Sequence, residues 1–205
     1  MNTENNQKEA LKQFLDTLSI ETKKIIDNID FNALASAESL ILAAEKNKNR
    51  VHVTGIGKPG HVSGYAASLF SSTGTPAYIL HGTEAVHGSA GQVMPGDVVI
   101  AISNSGETEE LKATVTALKN NGAKIISVTG KKESWLAKAG DVFLFAGVDE
   151  EGGDLNKAPR SSILAETIIL QSLSVLLQNA KGLTIQQYGK WHPGGSLGKS
   201  IREVL

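Results

Sequence analysis

The 205-residue chain has no cysteine, which excludes a disulfide, a thiolate metal site and a thiolate nucleophile. It has little net charge. Twenty basic residues stand against 21 acidic ones, for a formal −1, and that argues against a nucleic-acid or anionic-membrane surface. The first ten residues are polar and lack the apolar core of a signal peptide. Long hydrophobic runs are missing too. The most apolar stretch, 163–177, is interrupted by Glu166 and Gln171 and is too short to cross a bilayer. No repeat, low-complexity tract or clear linker is visible. Hydrophobic residues make up 40%, enough for a real core and too many for disorder. The expectation is a soluble, cytoplasmic globular protein with no nucleic-acid or membrane partner.

What is present is organised around Ser103-Asn104-Ser105-Gly106-Glu107-Thr108. An apolar run at 97–102 precedes it and reads as a buried strand; a helical pattern, 107–120, follows. Small hydroxyl residues between a strand's end and a helix start suit a bound phosphate, because free N–H groups and the helix dipole favour an anion there. Ser103, Ser105, Thr108 and the Asn104 amide add donors, and Gly106 lets backbone come close. The plainer alternative makes Ser105 only a helix cap.

Residues 8–46 read as helical. Leu11, Phe14, Leu15 and Leu18 share one face, and Leu34, Ala37, Leu40, Ile41 and Ala44 share another, with Asp30 or Asn32 as the cap between them. From 50 onward strands and helices alternate. Strands are expected at 51–54, 76–80, 97–102, 124–128 and 142–145, and helices at 60–72, 134–139 and 161–180. The glycine-rich segment 189–198 is read as a tail. Alternation implies a parallel sheet covered on both faces. Its right-handed crossovers gather the loops after the strands along one edge, where such sheets bind ligands. The fold class expected is a three-layer α/β sandwich around a five-stranded parallel sheet, flavodoxin-like in order, with an N-terminal helical arm.

Gly55-Ile56-Gly57-Lys58-Pro59-Gly60 matches the dinucleotide pattern G-x-G-x-x-G. The second strand, however, runs into His81-Gly82 rather than an acid, which counts against a dinucleotide. Lys58 is then a candidate to neutralise a phosphate or polarise a sugar oxygen, against a solvated lysine beside a turn. Gly74 reads as a helix C-terminal residue at the edge away from the ligand. His81 and His87 could move protons or bind metal, though their spacing is not a standard ligand spacing. Glu107, Glu109 and Glu110 suit the helix dipole, and one of them could act as a base. Glu150 and Glu151 sit at the exit of the fifth strand. His192 precedes a rigid Pro-Gly-Gly turn.

Five motifs occur in order: Gly-Ile-Gly-Lys at 55–58, Ser-Thr-Gly-Thr-Pro at 72–76, His-Gly-Thr-Glu-Ala-Val-His-Gly at 81–88, the loop 103–108, and His-Pro-Gly-Gly-Ser-Leu-Gly at 192–198. The set resembles the sugar isomerase (SIS) domain of arabinose 5-phosphate isomerases over residues 35–205, leaving 1–34 as the arm. The resemblance implies isomerisation of D-ribulose 5-phosphate and D-arabinose 5-phosphate through a cis-enediol, without a required cofactor. It implies a homo-oligomer, commonly a tetramer built as a dimer of dimers, whose sites neighbouring subunits complete. Position by position, the family's catalytic residues fall on Lys58, Glu110, Glu151 and His192. Its substrate contacts fall on Gly74, Thr75, His81 and His87, and a zinc falls on His81; Gly57 and the loop residues Ser103, Asn104, Ser105 and Thr108 complete the expected phosphate-binding set. Two departures stand out. The sequence stops at Leu205, where family members often continue into two CBS modules, and Arg160 stands where threonine is common. Two alternatives remain open: a non-catalytic sugar-phosphate sensor, and an isomerase of another phosphosugar such as hexulose 6-phosphate.

Overall fold

Five apolar segments pair side by side, all parallel: β1 (Val51–Gly55), β2 (Ala77–Ile79), β3 (Val98–Ile102), β4 (Lys124–Thr129) and β5 (Val142–Phe145). Their order across the sheet is β2-β1-β3-β4-β5. β1 and β3 are buried along their whole length, and β4 in all but Lys124. The short outer strands β2 and β5 are partly exposed. The computed structural model describes residues 2–204.

Among the described residues there are eight α-helices: α1 (Asn2–Asp27), α2 (Phe31–Lys46), α3 (Lys58–Ser72), α4 (Glu109–Asn120), α5 (Trp135–Ala139), α6 (Ser161–Ala180), α7 (Ile185–Trp191) and α8 (Gly195–Val204). Alternate residues of a strand point to opposite faces, and this splits the core in two. Val53, Ile100 and Ile126 face one layer, with Ile41 of α2, Phe70 of α3 and Leu170 of α6. Val99 and Ile125 face the other, with Val115 of α4 and Leu136 of α5. The layers predicted from alternation are therefore present.

The expected stripe of α2 is its buried face, and Asp30 is the cap, accepting from the Ala33 N–H at 3.0 Å. α1 rests against α6 and buries Ile25 and Glu21, while Leu11 and Leu15 of its apolar stripe are exposed. α6 passes the length and hydropathy criteria for crossing a membrane, but half of it is buried inside this core.

Two expectations need correction. Segment 189–198 is not an irregular tail, since it contributes to α7 and α8. And α4 begins at Glu109, not Glu107, with Thr108 in the cap position instead of Ser105. The cause lies partly far along the chain: Glu107 is drawn out of the helix by Lys112 and by the N–H of Trp135, 28 residues on.

Candidate active site

The sheet reverses its winding between β1 and β3, the place where open α/β sheets hold ligands. Gly55 lies beside Ile102 in register, so the loops after the two strands begin as neighbours. Each feeds a helix, α3 from Gly57 and α4 from Thr108. Two helix N-termini thus open at one point, and neither has a side-chain cap. At α4 the first N–H groups are available to an anion, and at α3 the Lys58 N–H is, since Pro59 has none and the Gly60 N–H donates to the Gly57 carbonyl.

The β1 turn is tight because Gly55 packs on its own helix start. A Cβ there would come within 2.8 Å of the Pro59 carbonyl carbon. Lys58 is the first residue of α3, exposed at the mouth of the turn, and has no ion-pair partner among the described residues.

The loop after β3 is braced from within and behind. The Gly106 N–H donates to the Ser103 carbonyl and to Ser103 Oγ, each at 3.1 Å, and Ser103 Oγ meets Thr108 Oγ1 at 3.2 Å. Ser105 Oγ accepts from the Glu107 N–H. From behind, the Gly130 N–H and Thr129 Oγ1 donate to the Asn104 carbonyl, and the Leu136 N–H donates to the Gly106 carbonyl. Gly106 has φ +66°, and a Cβ on it would run into Ser134. Lys112 and the Trp135 N–H hold the Glu107 carboxyl below the usual carboxylate range. Glu110 projects, exposed, from the first turn of α4.

The loop after β2 folds back over the β1 turn. Gly82 is buried against Ile56, and its carbonyl accepts from Thr114 of α4. His81 and His87 flank it, both exposed, with His81 Nδ1 3.1 Å from Thr83 Oγ1. Among the described residues no group of three or more His, Asp or Glu side chains could hold a metal ion. The zinc expected at His81 therefore finds no ligand set.

Glu151 arrives from the loop after β5 and is half-buried. Its Oε2 accepts from the N–H groups of Arg160 and Ser162 at 2.7 and 3.1 Å, which ties it to the start of α6. The Arg160 guanidinium lies over the Phe14 ring of α1 and donates to the Gly152 carbonyl.

Gly74, Thr75 and His192 are not with the others. Gly74 and Thr75 precede β2, at the opposite edge of the sheet, a five-residue strand or roughly 17 Å away. Lys181 Nζ, just past α6, donates to the Gly74 carbonyl and Thr75 Oγ1. The Trp191 ring covers Gly74, since a Cβ there would lie 3.1 Å from it. His192 follows directly, stacked on Tyr188 at 3.9 Å between ring centroids. Its Nδ1 lies 2.9 Å from the Tyr188 carbonyl, so Nδ1–H donates to it. The candidate residues of one chain therefore fall into two groups, one at each edge of the sheet.

The profile of the SIS domain family matches residues 46–176. The chain belongs to the SIS domain family. Arabinose 5-phosphate isomerase KdsD of Shigella flexneri is 43% identical over 167 residues, 80% of this chain and 51% of that one. The Francisella tularensis protein of the same name is 37% identical over 197 residues, 96% of this chain and 59% of that one. This SIS chain thus spans between half and three fifths of the length of these two curated relatives. The solved structure of E. coli CFT073 c3406 in complex with arabinose 5-phosphate superposes with a TM-score of 0.85 at 34% identity, covering 94% of this chain and all of that one.

Sequence reasoning passed over one polar residue of this SIS domain. Glu166 is wholly buried with neither carboxyl oxygen hydrogen-bonded, and burial followed by the Glu151 charge raises its pKa to about 8. The available signal was a lone acid in the most apolar stretch of the chain.

Proposed function

We propose that this SIS chain is an aldose–ketose isomerase of a phosphosugar, interconverting D-arabinose 5-phosphate and D-ribulose 5-phosphate. The observation that carries the reading is the convergence of two uncapped helix N-termini at the β1/β3 switch point, with Lys58 at the head of one. That is a seat for a dianionic phosphate. The likeness to proteins named arabinose 5-phosphate isomerase, and to a structure bound to that sugar phosphate, supports the choice of sugar.

In this reading Ser103, Asn104, Ser105, Thr108 and Gly57 hold the phosphate, and its binding energy aligns the sugar. His81 and His87 contact the substrate from the loop above. A carboxylate, Glu110 or Glu151, removes the proton from C2 of the open-chain aldose. The electron pair forms the C1=C2 bond, and the C1 oxygen takes up a proton to give the cis-enediol. The C2 hydroxyl then loses its proton, the carbonyl forms at C2, and the carboxylic acid returns a proton to C1. Lys58 stabilises the enediolate oxygen. His192 opens the cyclic sugar. The chemistry is redox-neutral within the sugar and needs no cofactor. Because His192, Gly74 and Thr75 lie at the other edge, a neighbouring subunit supplies them, and a dimer of dimers meets that need. The reading locates the protein with its phosphosugars in the cytoplasm.

Incubation of the pure protein with ribulose 5-phosphate in D₂O tests it. Solvent deuterium should enter the sugar at the exchanging carbon and arabinose 5-phosphate should accumulate. Absence of exchange with every pentose and hexose phosphate in a panel defeats the enzyme reading. Tight binding without turnover would make the chain a sensor.

A further inference from the structure

The least explained group in the molecule is the Glu166 carboxyl. It is 0% exposed, and both oxygens lack a hydrogen-bond partner. Burying a polar group without a partner is costly, so a sequence that keeps one in its core has a reason to. The same turn of α6 holds two further orphans: Ser161 Oγ and Ser162 Oγ are buried and unpartnered. Ser162 stands four residues before Glu166, on the same helix face. Helical side chains lean toward the N-terminus, so the carboxyl lies over the turn that begins at Ser162. That turn also seats Glu151, through the Arg160 and Ser162 N–H groups.

Two carboxyls therefore meet at one helix start in unequal surroundings. Glu151 accepts two N–H bonds and faces the positive end of the helix dipole, both of which favour its charge. Glu166 has no donor, and a dry wall around it. Other ionisable groups presented to α6 are already engaged: Tyr65 of α3 bonds Gln171, Glu45 of α2 pairs with Lys181, and Glu21 of α1 pairs with Lys24. Lys58 and His61 of α3 are exposed. Glu151 is the charge that acts on Glu166.

We infer that Glu166 is a positioning residue of the isomerase site: it is the neutral member of a two-carboxyl pair, and it keeps the shared charge on Glu151, seated at the start of α6. This rests on the isomerase reading, in which Glu151 works on the sugar. While Glu166 holds its proton, Glu151 is the anion and keeps its seat. When Glu166 ionises, two negative charges share the pocket and Glu151 is pushed from the N–H groups that orient it. Glu166 gives up its proton near 8.

The test compares Glu166→Gln with the parent. Glutamine has the same shape and no charge at any pH. The readout is the shape of the kcat–pH profile, not its height. The parent should lose activity on the alkaline side around pH 8, and Glu166→Gln should not. Glu166→Asp should retain an alkaline fall, because it restores an acid. Superimposable profiles for parent and Glu166→Gln overturn the proposal. A second measurement stands apart from turnover. In protein labelled with ¹³C at the glutamate carboxyls, one resonance should titrate near pH 8 and be missing from Glu166→Gln. A second, from Glu151, should shift in that same step. If no phosphosugar turns over but these resonances behave so, the isomerase reading fails and the carboxyl pairing stands. If no carboxyl titrates there, the pairing fails whatever the activity.

Discussion

Asp97, just before β3, accepts four hydrogen bonds: from the N–H groups of Arg50 and Met94, from the Asn49 amide and from His52 Nε2. Burial opposes its charge, but these donors outweigh it and hold the carboxyl below its ordinary range. Asp97→Ala leaves the Arg50 and Met94 N–H groups and His52 Nε2 unanswered, while the Asn49 amide keeps the Pro95 carbonyl, and should cost about 3 kcal/mol in urea unfolding. The pH dependence follows in sign. Asp97 contributes stability above about pH 4 that disappears as pH falls through its lowered pKa. His52 is lowered by burial against the pull of Asp97, so the unfolded chain binds that proton first and stability begins to fall below about pH 6.5. Glu166 acts in the opposite direction. Its raised pKa makes the native state hold a proton the unfolded chain has released, so stability drops by ~1.4 kcal/mol per pH unit from about 4.5 until about 8. Thermal midpoints of Glu166→Gln should accordingly exceed those of the parent by more at pH 8 than at pH 5. At this scale the sequence was legible where residue type announces chemistry. Lys58, Glu151 and the 103–108 hydroxyls are all at the strand ends. Glu166 was passed over as a break in an apolar run, because nothing in a one-dimensional pattern says whether a buried acid has found a partner.

Gly57 and Gly106 show how one residue type serves two ends at the two helix starts. Both have positive φ, +67° and +66°. A Cβ on Gly57 meets nothing within 4 Å, whereas one on Gly106 strikes Ser134 and comes within 2.8 Å of Thr129 Oγ1. Gly57→Ala should therefore cost only the backbone strain, about 1 kcal/mol in denaturant unfolding. Gly106→Ala should cost more than twice as much and raise KM for the phosphosugar at least about tenfold, because the phosphate loop must move to admit the methyl. Equal effects of the two substitutions would argue against a braced loop. Elements with strong periodicity were read almost residue for residue: β5 at Val142–Phe145 and α6 at Ser161–Ala180. α7 and α8 were missed because glycine at 189, 194, 195 and 198 masks a helical period. Packing overrides that weakness at Gly189, where a Cβ would come within 2.8 Å of Ile201. The start of α4 was misjudged because the contacts that withdraw Glu107 come partly from Trp135, 28 residues away.

At the scale of the molecule the five-stranded parallel sheet was readable from alternation, since strands alternating with helices leave few arrangements. The division of candidate residues between two edges was legible only in part, because no periodicity carries the distance between Gly74 and Lys58. The division makes a prediction. Lys58→Ala and His192→Ala should each slow isomerisation ~100-fold or more. Mixed and allowed to exchange subunits, the two should recover activity that neither has, because some sites then receive an intact Lys58 from one chain and an intact His192 from another. Failure to recover, with exchange verified by mass, would mean that each chain works alone. α6 gives this arrangement its dimension. Its first turn seats Glu151, and Lys181, one residue past its end, grips Gly74 and Thr75. Twenty residues make a rod about 30 Å long. Such a rod behaves as a spacer gauge: deleting a single residue would shorten it by about 1.5 Å and twist one end by about 100° against the other. Drift in surface loops is absorbed locally, but an insertion in this helix would swing the Lys181 grip on Gly74 and Thr75 out of line with the Glu151 seat.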